Sequence, residues 1–220
     1  MMHPDSVVTD SFLESLSPTT LSYFRQWRDF LYQNVRFNRP ESVIHAYGHC
    51  ERVLLYALMI GQMVFGDDEE SLTGLAHAAV FHDTRRLDDY LDTGHGARAA
   101  VYYKNYCHDS GLIDFHPESV FLMRYHDLDD KLGIEAIKKE FKADVPRVLK
   151  MYDIFKDADA LDRWRLGSRG LDTRFLRTEE AKSLVGFSRN LVIATVPLKL
   201  LQDIEDEVNA AIDSMKNKKM

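Results

Sequence analysis

Apolar residues in this chain recur three and four positions apart, the period of an amphipathic α-helix, and no segment sustains the two-residue alternation of a half-buried strand. The chain is therefore expected to fold as packed helices. Ser17-Pro18-Thr19-Thr20 supplies an N-cap and a first-turn proline, and Leu21, Phe24, Trp27, Leu31 and Val35 continue the stripe. A turn near Asn38-Arg39-Pro40 precedes a second helix predicted from about Ile44 to Val64, with His49, Val53, Ala57 and Gly61 on one face. Gly66 to Glu70 reads as a helix stop followed by an acidic helix start, leading into a helix through Leu72 to Asp83. The polar stretch Thr84 to Gly96 reads as a loop. Helices are then predicted over Ala97–His108, Pro117–Leu128, Leu132–Phe141, Val145–Leu161 and Thr178–Met215, with Pro197 kinking or dividing the last.

At 220 residues, 45% hydrophobic and 29% charged, the chain has enough apolar material for one core and shows no repeat, low-complexity stretch or domain boundary, so one all-α domain over 1–220 is expected. A net charge of −7 argues against a protein dedicated to duplex nucleic acid or an anionic membrane, which usually carries a basic face. Cys50 and Cys107 have neither CxxC nor zinc-finger spacing and read as small buried thiols. Met1 to Asp10 lacks the charged and apolar regions of a secretory signal, and the apolar runs fall far short of the roughly 20 residues of a spanning helix, so a cytoplasmic protein is expected. Lys216, Lys218 and Lys219 read as a solvated tail.

One apolar run, Leu75 to Phe81, closes on His82-Asp83, two side chains able to bind metal at the end of a core helix. His49 lies upstream, and His95, His126 and Asp159 lie downstream. Ligands from several helices can converge on one interior point of a bundle. Imidazole with carboxylate suits Mn, Fe, Zn or Co, and suits Mg less. Without cysteine ligands, structural zinc is not expected.

The strings Gly48-His49-Cys50-Glu51-Arg52-Val53, His82-Asp83 and Asp157-Ala158-Asp159-Ala160-Leu161-Asp162 resemble the H…HD…D signature of the HD-domain superfamily over a core of about 44–162. The resemblance implies an all-α, single-domain helical bundle, here with helical extensions at about 17–37 and 172–216. It implies a metal-dependent phosphohydrolase in which His49, His82, Asp83 and Asp159 hold one divalent ion. With His95 and His126 the pattern becomes H…HD…H…H…D, similar to the binuclear members, in which Asp83 would bridge two ions. His95 also fits a loop or substrate contact, and His126 a helix cap.

By the same resemblance, Arg86 falls where binuclear members carry a basic phosphate-binding residue, and a surface ion pair with a nearby aspartate is the alternative. Arg98, one turn beyond His95, is a second substrate contact, and His45, four residues before His49, a third. Asp162, three residues after Asp159, reads either as a support for the site or as a surface carboxylate. Lys156, Arg163 and Arg165 read as a solvated face, and His3, His77, His108 and His116 as structural or exposed. The expected chemistry is attack on a small phosphorylated metabolite or nucleotide by a metal-activated hydroxide, with Asp83 and Arg86 in catalytic roles. No GxSxG, P-loop or GxGxxG motif offers another route. Two alternatives use the same ligand set: a di-iron oxygenase, and a non-catalytic metal- or nucleotide-binding module. Neither the substrate nor the oligomeric state is written in the sequence.

Overall fold

The structure, a computed structural model, describes residues 5–217. His3, Lys218 and Lys219 lie outside the described residues, as does the side chain of Lys216. Ten α-helices and three 3-10 turns make up the regular structure, with no strand among the described residues. The helices are α1 (Pro18–Asn34), α2 (Tyr47–Phe65), α3 (Glu69–Phe81), α4 (His95–Ser110), α5 (Pro117–Tyr125), α6 (Asp130–Glu140), α7 (Val145–Leu161), α8 (Glu179–Ser183), α9 (Val185–Thr195) and α10 (Leu198–Asn217). The all-α expectation holds.

Local chemistry explains most of the boundaries. Ser17 accepts a hydrogen bond from the Thr20 amide (3.1 Å), and Pro18 occupies the first turn of α1. Asp68 caps α3 through the Ser71 amide (3.0 Å), with Glu69 and Glu70 in the first turn facing the positive end of the helix dipole. The second helix starts at Tyr47, later than the predicted Ile44, because Ser42 folds residues 42–46 into a turn by accepting from the His45 amide (3.0 Å). The third ends at Phe81, which leaves His82 as its C-cap and Asp83 in the turn beyond.

The largest departure is at the C-terminus, where Thr178–Met215 divides into three helices. Val196 before Pro197 is extended, as the proline ring requires of its predecessor. The second break, at Leu184, has no proline to signal it, only Gly186 two residues on, and the Leu184 side chain is buried in the core.

The second helix is the axis of the molecule. Every residue from His49 to Leu58 is buried, with α1, α3 and α7 packed around it. One contiguous apolar cluster runs from Val8 through Leu54, Phe81, Tyr103 and Phe155 to Leu191, so the segments on either side of 44–162 share its core. Cys50 and Cys107 are free and buried, as expected. No helix among the described residues is long and apolar enough to cross a membrane.

The C-terminal segment is fastened by Asp157, which is fully buried in α7. It accepts from the amides of Arg177 (2.9 Å) and Thr178 (2.7 Å), the Thr178 hydroxyl (2.8 Å) and Arg177 Nη1 (3.1 Å). Removing one partner of a buried hydrogen-bonded network costs on the order of 3 kcal/mol. Asp157→Ala should therefore lose about that much stability in urea denaturation while retaining metal binding, because Asp157 touches no member of the histidine cluster.

Candidate metal centre

Each sequence-predicted ligand stands at a helix end. His49 is in the first turn of α2, His82 caps the C-terminus of α3, and Asp83 follows it. His95 opens α4, His126 caps the C-terminus of α5, and Asp159 is in the last turn of α7. Gly94 makes the entry to α4 with φ +89°, a left-handed conformation that glycine adopts without strain. Two residues on, a Cβ at position 96 would collide with the Met123 carbonyl and lie 2.8 Å from His126 Nδ1. Glycine there lets α4 close on α5 and brings His95 to His126.

The hydrogen bonds of the rings define what the cluster is. His49 Nδ1 donates to Asp162 Oδ2 (2.7 Å) and His82 Nδ1 to the Ala79 carbonyl (2.9 Å). His95 Nδ1 donates to the Asp92 carbonyl (2.6 Å) and His126 Nδ1 to the Met123 carbonyl (2.7 Å). An oxygen of this kind only accepts, so in each neutral ring the proton sits on Nδ1 and Nε2 presents a lone pair. Those lone pairs point at one another. His49 Nε2 is 3.0 Å from His82 Nε2, and His95 Nε2 is 2.9 Å from His126 Nε2.

Asp83 lies between the pairs. Its Oδ1 is 2.9 Å from His95 Nε2 and 3.5 Å from His126 Nε2, and its Oδ2 is 3.5 Å from His49 Nε2. Asp159 Oδ1 stands 3.4 Å from His49 Nε2 and 4.0 Å from His82 Nε2. Asp83 Oδ1 is buried with no donor of its own. Acceptor facing acceptor in a dry interior is unfavourable, and a cation shared among them relieves it. Three sets have the reach to hold a metal ion: His49, His82 and Asp159; His82, Asp83 and His126; and His45, His49 and Asp83.

Electrostatics favour the ligand state of these groups. Burial drives the His82 pKa down to about 3, so its ring is neutral at physiological pH. Burial alone would raise Asp83 and Asp159, but the surrounding histidines hold both carboxyls well below the usual range. Burial also opposes protonation of His126, yet Asp83 and Asp159 outweigh it and raise the His126 pKa. The two carboxylates thus create a demand for positive charge.

Asp162 resolves as a support for the site. It is fully buried, accepts from His49 Nδ1, and forms a fork with Arg52 Nε (2.6 Å) and Nη2 (2.9 Å). Burial raises its pKa, but the Arg52 charge and the His49 and Arg52 hydrogen bonds bring it down to about 2. Its fixed charge orients the His49 ring and keeps the proton on Nδ1, leaving Nε2 to face the cluster. The Asp157-Ala158-Asp159-Ala160-Leu161-Asp162 string therefore sends one carboxylate to the C-terminal segment, one to the cluster and one behind it.

The cluster opens onto a cleft of about 390 Å³ lined by His45, Arg86, Tyr90, Asp127, Asp159 and Arg165, among others. Arg86 lines it but commits its donors to the loop, with Nε to the Asp88 carbonyl (3.2 Å), Nη2 to the Tyr90 carbonyl (2.7 Å) and Nη1 3.2 Å from His95 Nε2. Arg98 is outside the lining, bound to Asp92 (2.7 Å) and the Arg85 carbonyl (3.0 Å), where it shapes the loop. His45 is in the wall, with Nδ1 3.2 Å from Asp83 Oδ2, and burial lowers its pKa to about 4.

Of the three cations read as a solvated face, only Arg163 is exposed. Lys156 is bound to the Leu128 carbonyl (2.7 Å) and Asp130 (2.7 Å), and Arg165 is buried in the cleft wall. Arg165 escaped sequence reasoning because Asp162–Leu166 is a 3-10 turn, whose three-residue repeat places Arg165 above Asp162. His77 is a core residue bound to the Tyr103 hydroxyl (2.8 Å), and His108 is exposed.

No protein-family model, curated protein or solved structure matches the chain. Geometry is thus the basis for reading the site. Asp162→Asn preserves shape but removes the charge behind His49, and should weaken metal binding by about 10–100-fold in a chelator competition titration.

Proposed function

We propose that this protein is a metal-dependent phosphohydrolase of the HD-domain type, acting on a small phosphorylated metabolite or nucleotide. The observation that carries this reading is the convergence of four imidazole lone pairs on Asp83 at the floor of an open, arginine-bearing cleft. The order His49, His82-Asp83, His95, His126, Asp159 resembles that superfamily's ligand pattern, and the helix-end placement of each residue is what a rigid centre needs.

Nitrogen and carboxylate donors suit Mn, Fe, Zn or Co, and the placement of Asp83 between His49 and the His95–His126 pair supports two ions. Divalent metal, when bound, lowers the pKa of coordinated water and offsets phosphoryl charge. The chain's own part begins with His49, His82, His95 and His126, whose Nδ1 anchors keep the rings from turning. Asp83 and Asp159, ionised in their histidine surroundings, would hold the ions, and Asp83 would also accept a proton from the attacking water. Arg86 shapes the rim by holding the carbonyls of Asp88 and Tyr90.

The test is elemental analysis of the purified protein, followed by phosphomonoesters, phosphodiesters and nucleotides with Mn and with Fe, while recording oxygen uptake. A bound transition metal and chelator-sensitive phosphate release are expected, without oxygen consumption. Oxygen uptake coupled to turnover would point instead to iron oxygenase chemistry on the same ligands. Asp83→Ala should keep its helical circular dichroism and lose both metal and turnover, and full activity in that variant would sink the assignment.

A further inference from the structure

The cleft over the histidine cluster has an apolar part as well as a polar floor. Tyr90 and Leu91 line it and are 85% and 93% exposed, the most exposed large apolar side chains among the described residues. Leu128 and Leu166 line it too, half-buried, and Thr93 and Arg163 add polar groups at the solvent edge. Packing does not account for the exposed pair, because neither side chain belongs to the core.

The backbone that carries the pair is fastened from several sides. The Leu87 amide donates to Asp92 Oδ2 (2.7 Å) and the Tyr90 amide to Asp88 Oδ1 (2.8 Å). The Tyr90 carbonyl accepts from the Asp92 amide (3.1 Å) and from Arg86 Nη2 (2.7 Å). Asp89 accepts from the Ser42 hydroxyl (2.6 Å) and Asp92 from Arg98 (2.7 Å), so both carboxylates are engaged within the chain. A held backbone presents Tyr90 and Leu91 to the cleft at little further cost in ordering when something binds there.

We propose that Tyr90 and Leu91, together with Leu128 and Leu166, receive the leaving group, and that the substrate is a phosphoester whose leaving group carries an aromatic ring. This inference rests on the phosphohydrolase reading and deepens it. In that reading the scissile phosphoryl group goes to the metal centre at the floor, so the group attached to it must run along the rest of the lining. The cleft, at about 390 Å³, lies in the size range of small-molecule pockets and has room for more than a phosphoryl group. Covering the exposed apolar surface with an apolar leaving group is favourable, and the Tyr90 ring gains further from a second ring in offset or edge contact. A compact hydrophilic leaving group such as glycerol would leave that surface wet and draw nothing from it.

The experiment loads the protein with Mn and titrates methylphosphonate and phenylphosphonate by calorimetry, two ligands that share a phosphoryl head and differ in the group behind it. Wild type should bind phenylphosphonate at least about tenfold more tightly. Tyr90→Ser and Leu91→Ser alter exposed side chains, so both should fold, bind as much Mn as wild type and hold methylphosphonate unchanged. The preference for the phenyl compound should fall severalfold in each and vanish in the double variant. Leu87→Ser, in the same loop but outside the lining, should keep it. Equal affinity of wild type for the two ligands overturns the subsite and leaves the phosphohydrolase reading standing. So does a preference that survives the double variant, or one that Leu87→Ser removes as well. Metal-loaded wild type that binds neither compound overturns both.

Discussion

Four imidazole nitrogens and two carboxylates, all hydrogen-bond acceptors, meet at the floor of a cleft where every one of them but Asp159 is buried. Such a gathering is stable only if positive charge enters it, and only if each ring is prevented from rotating away. Much of the surrounding structure meets those two demands. Backbone carbonyls of Ala79, Asp92 and Met123 hold three of the rings, and Asp162 holds the fourth. The raised pKa of His126 and the lowered pKa of Asp83 and Asp159 are the same demand expressed as protonation.

Anchoring by helix ends follows from this. A ring at a C-cap, such as His82 or His126, finds the carbonyl three residues back within reach of its Nδ1, because the regular i→i−4 pairing of the helix stops in that last turn. At the N-terminal ends of α2 and α4 no preceding helical turn supplies the carbonyl: Asp162 stands behind His49, and behind His95 the carbonyl three residues back, that of Asp92, comes from the loop. The loop from Thr84 to Gly94 therefore has a structural duty, and Arg86 and Arg98 are its fasteners. Its remaining face, with Tyr90 and Leu91 largely exposed, is part of the cleft lining.

The helical period, the N-terminal signals at Ser17-Pro18 and at the acidic run through Asp68, and the proline at 197 are local, and the helices they mark were legible before any packing was known. So were the six histidine and aspartate side chains that the fold gathers into one cluster, because such residues at the edges of apolar runs are unusual enough to stand out together. Three features were not legible. The break at Leu184 has no proline at it, and the burial of that side chain is seen only in the packed fold. Arg98 carried a helical spacing that suggested the site, but Asp92 and the Arg85 carbonyl capture it. Arg165 looked like one more cation in a polar stretch, and only the 3-10 turn after α7 directs it inward.

By itself, the sequence determined the all-helical class, the order of most helices and the identity of the side chains able to bind metal, since each depends on neighbours within a few residues. Tertiary structure decided which nitrogen of each histidine faces the interior, because that choice belongs to a hydrogen-bond partner on the other side of the ring. It decided that Asp157, Asp159 and Asp162, within six consecutive residues, serve three different neighbours. It also decided that Arg86 is committed to the loop and that Arg165 is buried in the cleft wall, for a guanidinium's role is set by the acceptors within its reach and not by its place in the chain.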